Sequence, residues 1–216
     1  MKSVLIIGMG RMGRHLAGKM MQLGNDVMIV DHNRSIVEGM SDRFTDSSIC
    51  DCTNEAVIES LGVSNFDICF VTIGEDFQSS LVITSLLKKH GARCIVAKAS
   101  QDIQADLLHK IGADEVVYPE VEIAEKLAVR HNANNIFDFV PLTEEYSIYE
   151  IAVPAAWAGR SLAELDLRRK YRINILALKT GERLNPNPSA EDRFSAGDHV
   201  IVLGRSNEVF KLAARA

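Results

Sequence analysis

Residues 4–13 read VLIIGMGRMG: four apolar residues run unbroken into glycines at 8, 10 and 13. No other stretch limits the possible folds as tightly. A short continuous apolar run is a strand buried on both faces. The residues after it carry Met12, Leu16, Met20 and Leu23 at helical spacing through 11–23. A buried strand turning directly into an amphipathic helix opens a βαβ unit, and G-x-G-x-x-G at that turn is a dinucleotide-binding fingerprint. Gly8 permits the tight turn, Gly10 lets backbone approach a diphosphate, and Gly13 allows close packing of helix on sheet. The helix N-terminus offers free N–H groups to phosphate. VMIV at 27–30 is the next strand, and it ends on Asp31, 23 positions after Gly8. A carboxylate there accepts from adenosine ribose hydroxyls and repels a 2′-phosphate, which disfavours NADP.

The unit then repeats. SIVEGMSDRF reads as helical and SSIC as short and extended; NEAVIESLG, DFQSSLVITSLLKKHG, DIQADLLHKIGA and VEIAEKLAVRH read as helices alternating with the strands DICFVTIG, RCIVAKA and EVVYP. Apolar strands alternating with amphipathic helices predict a parallel sheet covered on both faces, here a doubly wound Rossmann-like sheet of about six strands. After His131 the pattern changes. NANNIFDFVPLTEEYS is polar and reads as irregular, which puts a boundary near 134–140. Beyond it, YSIYEIAVP, INILALKT and DHVIVLG read as strands, SLAELDLRRKY as a short helical stretch and SNEVFKLAARA as a final helix. The turn-rich GERLNPNPSAEDRFSAGD separates two of those strands. The expected organisation is a nucleotide-binding domain over 1–134 and a small α+β lobe over 140–216.

Several residues at strand ends are candidates for the cleft. Arg11 opposes the helix dipole unless an anion offsets it, so it is either a phosphate clamp or a solvated arginine. Met12 lies in the same turn, and His32 follows Asp31. CDCT, residues 50–53, ends the third strand where adenine lies in such a fold. Asp51 there either accepts from the adenine amino group or caps the helix beginning near Asn54, and Cys52 lies beside it. Thr72, Ile73 and Gly74 line the crevice after the fourth strand, and Lys98, after the fifth, reaches the nucleotide or is simply exposed. PEVEIAE, residues 119–125, starts a helix with proline in its first turn and acids at 120, 122 and 125, which suits the dipole.

Chemistry beyond binding is not evident. Histidines 15, 32, 90, 109, 131 and 199 form no constellation with a carboxylate or arginine, which counts against an NAD-dependent oxidoreductase. No catalytic residue is assigned. Cys50 and Cys52 alone are too few for a structural zinc site. A redox-sensing repressor needs a helix-turn-helix, and only KLAVRH and LRRKYR come near one. The net charge of −5 argues against a broad grip on nucleic acid. No apolar run approaches the roughly 20 residues of a membrane span. The chain enters its first strand without a signal-peptide pattern, and with its cysteines reading as reduced thiols it is expected to be cytoplasmic.

An ordered set of segments gives the chain a resemblance. IIGMGRMG, IVD, DCTN, VTIG, IVAKA and IGADEVVYPE in the first part, then LTEEYSIYEIAVP, AGRSLAELDLRRKYRINILALKTGE and PSAEDRFSAGDHVIVLG, resemble the RCK (KTN) regulators of Trk/Ktr-type potassium uptake. The resemblance implies a regulatory, non-enzymatic subunit that binds ATP, ADP or NAD(H). It further implies dimers, and larger rings, beneath a membrane potassium channel or transporter at the inner face of the membrane. By motif, Gly8, Gly10 and Gly13 hold phosphates, Asp31 the ribose, and Arg11 the phosphates near the dimer interface. Glu120 matches an acidic position that helps hold a cation across that interface. The C-terminal lobe resembles the RCK-C module, which in some relatives binds cyclic di-AMP; Arg168, Arg169 and Asn174 lie in the corresponding segment.

Overall fold

The computed structural model describes residues 1–132 and 135–214. They form two compact units, Met1–Val121 and Glu122–Ala216.

The first unit is built on β1 (Ser3–Ile7), β2 (Asp26–Asp31), β3 (Asp46–Ile49), β4 (Ile68–Val71), β5 (Ile95–Lys98) and β6 (Glu115–Val117). All neighbours are parallel and the order is β3-β2-β1-β4-β5-β6. The helices are α1 (Arg11–Gln22), α2 (Arg34–Glu38), α3 (Glu55–Ser60), α4 (Phe77–Lys89) and α5 (Asp102–Ile111). α6 (Pro119–Asn132) begins in this unit. The unbroken apolar run in β1 has a direct cause. Val4 and Ile6 pack with Ala17 of α1, while Leu5 and Ile7 pack with Ile58, Ile83, Leu87 and Leu108 from α3, α4 and α5. Both faces of Val4–Ile7 are buried, so none of these four positions suits a polar side chain. The chain reverses its direction of travel between β1 and β4, and a crevice opens at their carboxyl ends.

The second unit holds an antiparallel sheet of order β10-β9-β11-β8-β7. Its strands are β7 (Ile136–Pro141), β8 (Tyr146–Ala152), β9 (Asn174–Thr180), β10 (Arg183–Asn185) and β11 (His199–Arg205). Strand alternation puts Tyr149, Ile151, Val200 and Val202 on the inner face, packed with Trp157, Phe194 and Leu212. The helices are α7 (Leu162–Leu165), α8 (Leu167–Tyr171) and α9 (Ser206–Ala213).

Five expectations change. The helix read over SIVEGMSDRF stops at Glu38, because Gly39 ends it and a separate turn of 3₁₀ helix follows at Ser41–Arg43. The segment read as irregular contains β7, an edge strand paired only with β8, where Phe139 packs on the core. Its Asp138 and a register shift beside it blur the alternation. The turn-rich stretch contains β10, and SLAELDLRRKY is two helices parted at Asp166, whose φ of 45° is left-handed. Lastly, the units divide after Val121, inside α6, rather than near 134–140, and Val129 of α6 packs on the second unit's core. Residues 133 and 134, next to the expected boundary, lie outside the described residues.

Candidate functional site

The crevice at the ends of β1 and β4 is a cleft of about 770 Å³. Of the sequence candidates, Gly8, Gly10, Arg11, Met12, Asp31, His32, Asp51, Cys52, Thr72, Ile73, Gly74 and Lys98 line it. Gly13 and Glu120 do not.

The glycine loop is shaped by contacts a side chain would break. Gly8 has φ +96°, and a Cβ there would sit 2.8 Å from Ile73 Cγ1. A Cβ on Gly13 would fall 2.1 Å from the Gly8 carbonyl oxygen and 2.7 Å from Thr72 Oγ1. Gly13 therefore acts beneath the loop, as a packing glycine. Thr72 Oγ1 donates to the Gly8 carbonyl, clamping the loop from β4. Gly10 differs: a Cβ there meets nothing within 4 Å. No protein atom demands that glycine, and the space above it is where a diphosphate would lie against α1.

The end of α1 suits an anion. Its N-cap, Gly10, supplies no side-chain hydrogen bond, and the first turn contains no acidic residue. The first N–H groups of α1 therefore receive no side-chain acceptor from the cap, and Gly10, Arg11 and Met12 of this turn line the cleft. Arg11 is exposed on the cleft wall and has no ion-pair partner within 4 Å among the described residues. Arg14, which sequence reading missed, also lines the cleft and donates from Nε to the Met9 carbonyl at 2.7 Å. Its spacing of three from Arg11 was the available signal.

Asp31 is 9% exposed. Its Oδ2 accepts from Met9 N–H at 2.6 Å and its Oδ1 from Asn33 N–H at 2.8 Å. One carboxylate thus ties the glycine loop to the turn after β2, keeps lone pairs to spare, and lines the cleft. Asn33, another missed residue, caps α2 by accepting from Ser35 N–H at 3.0 Å. His32 is exposed, with Nδ1 3.5 Å from Asp31 Oδ1.

Asp51 does not cap α3; Asn54 does, accepting from Ala56 N–H at 3.0 Å. Asp51 instead accepts from the Thr53 hydroxyl at 2.7 Å and the Thr53 amide at 2.9 Å, and these two bonds hold its carboxyl below the usual carboxylate range. Asp76 at the start of α4 is held low in the same way by the Ser79 hydroxyl and amide. It too lines the cleft and was missed, although the spacing to Ser79 is that of a helix cap. Burial pushes the Cys52 thiol well up and the Cys69 thiol up to about 12, so both are protonated.

Lys98 Nζ lies 3.0 Å from Glu120 Oε1. That ion pair, then the amide of Glu120 itself, holds the Glu120 carboxyl below its ordinary value. Among the described residues no group of three His, Cys, Asp or Glu donors is placed to hold a metal. With Glu120 engaged by Lys98, the described residues do not by themselves bring a set of cation donors together.

In the second unit a cavity of about 800 Å³ is lined by Asp166, Arg168, Asn174, Pro186 and neighbours. Arg168 Nε donates to Asn174 Oδ1 at 2.9 Å. Arg169 does not line this cavity.

The TrkA-N domain family matches residues 4–119 and the TrkA-C domain family matches 147–215. Ktr system potassium uptake protein C of Bacillus subtilis (strain 168) is 36% identical over 214 residues, 99% of this chain and 97% of that protein. The chain belongs to the RCK (KTN) family of Trk/Ktr potassium-uptake proteins. Ktr system potassium uptake protein A of the same organism is 31% identical over 208 residues, 96% of this chain and 94% of that one. Among solved structures, the GsuK RCK domain superposes with a TM-score of 0.69 at 16% identity, covering 99% of this chain and 47% of that chain. The GsuK channel bound to NAD gives 0.71 at 16% identity, covering 99% and 38%. This chain spans less than half the length of those two chains, and the likeness shows the RCK fold.

Proposed function

We propose that this RCK-family chain is a nucleotide-sensing regulatory subunit. It assembles as a dimer and a larger ring on the cytoplasmic side of a membrane potassium channel or transporter, and it gates that pore. The observation that carries the reading is the open space over Gly10 at the uncapped start of α1, with Asp31 across from it. A glycine that no protein contact requires, beside unpaired helix N–H groups, fits a bound diphosphate. Gly8, Gly10 and the α1 amides hold the phosphates of ATP, ADP, NAD or NADH, and Asp31 takes the ribose hydroxyls. Asp51, Cys52 and His32 lie toward the adenine end, with Met12, Thr72, Ile73 and Gly74 on the walls. The relatives are named as potassium uptake proteins, which supports a regulatory rather than an enzymatic role.

Gating follows from linkage: a nucleotide shifts an equilibrium only by its difference in affinity for the two states. Arg11, exposed and unpaired by an acid, supplies that difference by meeting a phosphate at the subunit interface. The cation at Glu120 belongs, in this reading, to the assembled dimer, since a second chain and the phosphates must bring the remaining donors. The cavity bearing Arg168 and Asn174 is the place for cyclic di-AMP in the second lobe. Calorimetry with ATP, ADP, NAD and NADH, paired with light scattering of each complex, tests the proposal. Binding with a nucleotide-dependent change in assembly or shape is expected. Binding that leaves both unchanged contradicts it.

A further inference from the structure

Two side chains of opposite charge hold the glycine loop, and both line the cleft. Asp31 Oδ2 accepts from the Met9 N–H at 2.6 Å, which pins the peptide between Gly8 and Met9. Arg14 Nε donates to the Met9 carbonyl at 2.7 Å, which pins the next peptide, between Met9 and Gly10. The Met9 side chain between these anchors is fully buried. Arg14 starts from a fixed point, because its own N–H closes the first turn of α1 on the Gly10 carbonyl at 3.1 Å. The placement is electrostatically awkward. Arg11 and Arg14 both stand in the first four positions of α1, where the helix dipole disfavours cations, and the first turn has no acidic residue. Three apart, they are also neighbours on the helix surface and repel each other. The bond to Met9 uses one of the five N–H donors of the guanidinium. Arg14 is exposed, and its two Nη atoms have no protein acceptor among the described residues.

We propose that Arg14 is a positioning residue that also grips the ligand: Nε holds the Met9 carbonyl while the Nη atoms take the diphosphate of a bound adenine nucleotide. This rests on the nucleotide-binding reading above. The guanidinium is planar and carries its donors in a rigid fork, so one side chain serves two acceptors lying in different directions. A phosphate supplies the anion that the start of α1 lacks and offsets the repulsion between Arg11 and Arg14. The bond to Met9 also settles the loop. With Nε on its carbonyl the Met9–Gly10 peptide does not rotate, and Gly10 keeps the open space over which the diphosphate lies. Ribose draws on Asp31 and phosphate on Arg14, so each half of the ligand firms one of the two anchors beside Met9. A nucleoside, which has no phosphate, gains nothing from the Nη atoms.

A brace that only supports the fold affects every ligand alike, whereas a phosphate grip separates ADP from adenosine. Calorimetry with both ligands compares wild type, Arg14→Gln and Arg14→Lys. Arg14→Gln is expected to bind ADP about tenfold more weakly, the scale of a lost charge-assisted hydrogen bond, and adenosine within about twofold of wild type. Arg14→Lys keeps the charge but not the fork, so it shows the same split in smaller measure. That milder variant carries the test if the glutamine variant does not fold. Lys19→Gln removes a positive charge from the last turn of α1, away from the cleft, and leaves ADP affinity unchanged. Equal losses for adenosine and ADP reduce Arg14 to a brace and overturn the proposal. Unchanged ADP affinity in Arg14→Gln overturns it too, as does full recovery by Arg14→Lys, because a lone ammonium then suffices. Absence of ADP binding to wild type overturns the nucleotide reading itself.

Discussion

Gly10 and Gly13 look alike in the motif but answer to different neighbours, and substitution separates them. A methyl on Gly13 has to push into the Gly8 carbonyl and the Thr72 hydroxyl, which is overpacking against backbone. Gly13→Ala is expected to destabilise the first unit by about 1–3 kcal/mol in denaturant unfolding. Gly10→Ala meets only open space, so its stability changes by less than about 1 kcal/mol. Its ADP affinity nonetheless falls about tenfold, the worth of a charge-assisted hydrogen bond displaced from the α1 amides. Equal affinity in wild type and Gly10→Ala shows that no phosphate lies there. Asp31→Ala loses on both counts. It leaves the buried Met9 N–H without its acceptor and removes the ribose partner, so stability drops by about 1–3 kcal/mol and ATP, ADP, NAD and NADH all bind more weakly. The fingerprint made these positions legible in the sequence, because each glycine and the acid have a fixed place in a strand–turn–helix. Arg14, Asn33 and Asp76 were not, since a side chain's direction from a turn depends on neighbours far away in the chain.

Elements were read best where both faces of a strand are buried. The apolar runs of β1, β2, β4 and β5 have no solvent face, and their composition alone marks them. β7 and β10 escaped because edge strands have one paired side, and a polar residue such as Asp138 costs them little. α2 was read too long because MSDRF continues the apolar spacing past Gly39, where the chain leaves the helix. The second sheet carries a titratable cluster of its own. Burial pushes the Glu150 carboxyl up, but hydrogen bonds from Lys179 at 2.7 Å and His199 at 2.6 Å more than offset it, and the net shift is downward. A depressed carboxylate stabilises the fold above its ordinary value and loses that contribution as pH falls through the lowered one. Glu150→Gln should therefore cost about 1–2 kcal/mol at pH 7, and the gap to wild type should close below about pH 4 in thermal unfolding. A gap of the same size at pH 7 and pH 3 contradicts the assignment.

For the whole molecule, the two-part organisation could be read from the change of pattern after His131, but not the point of division. α6 looks continuous in the sequence, and only packing shows that its later turns go with the second core. Which nucleotide acts was also illegible, because Asp31 serves any adenosine with an unphosphorylated ribose. Arg11 is the residue expected to distinguish them. Arg11→Ala should abolish the difference between ATP and ADP in light scattering while retaining binding of both, and an undiminished difference removes Arg11 from that role. In the proposed function, nucleotide identity in this cleft sets potassium flux through a membrane partner. That dependence is tested most directly by measuring flux through the cognate membrane subunit, reconstituted in vesicles with this protein, while ADP is exchanged for ATP. Exchange is expected to change the flux with the wild-type protein and to leave it unchanged with Asp31→Ala. Equal flux with ATP, ADP or no nucleotide, from a protein that binds both, contradicts it.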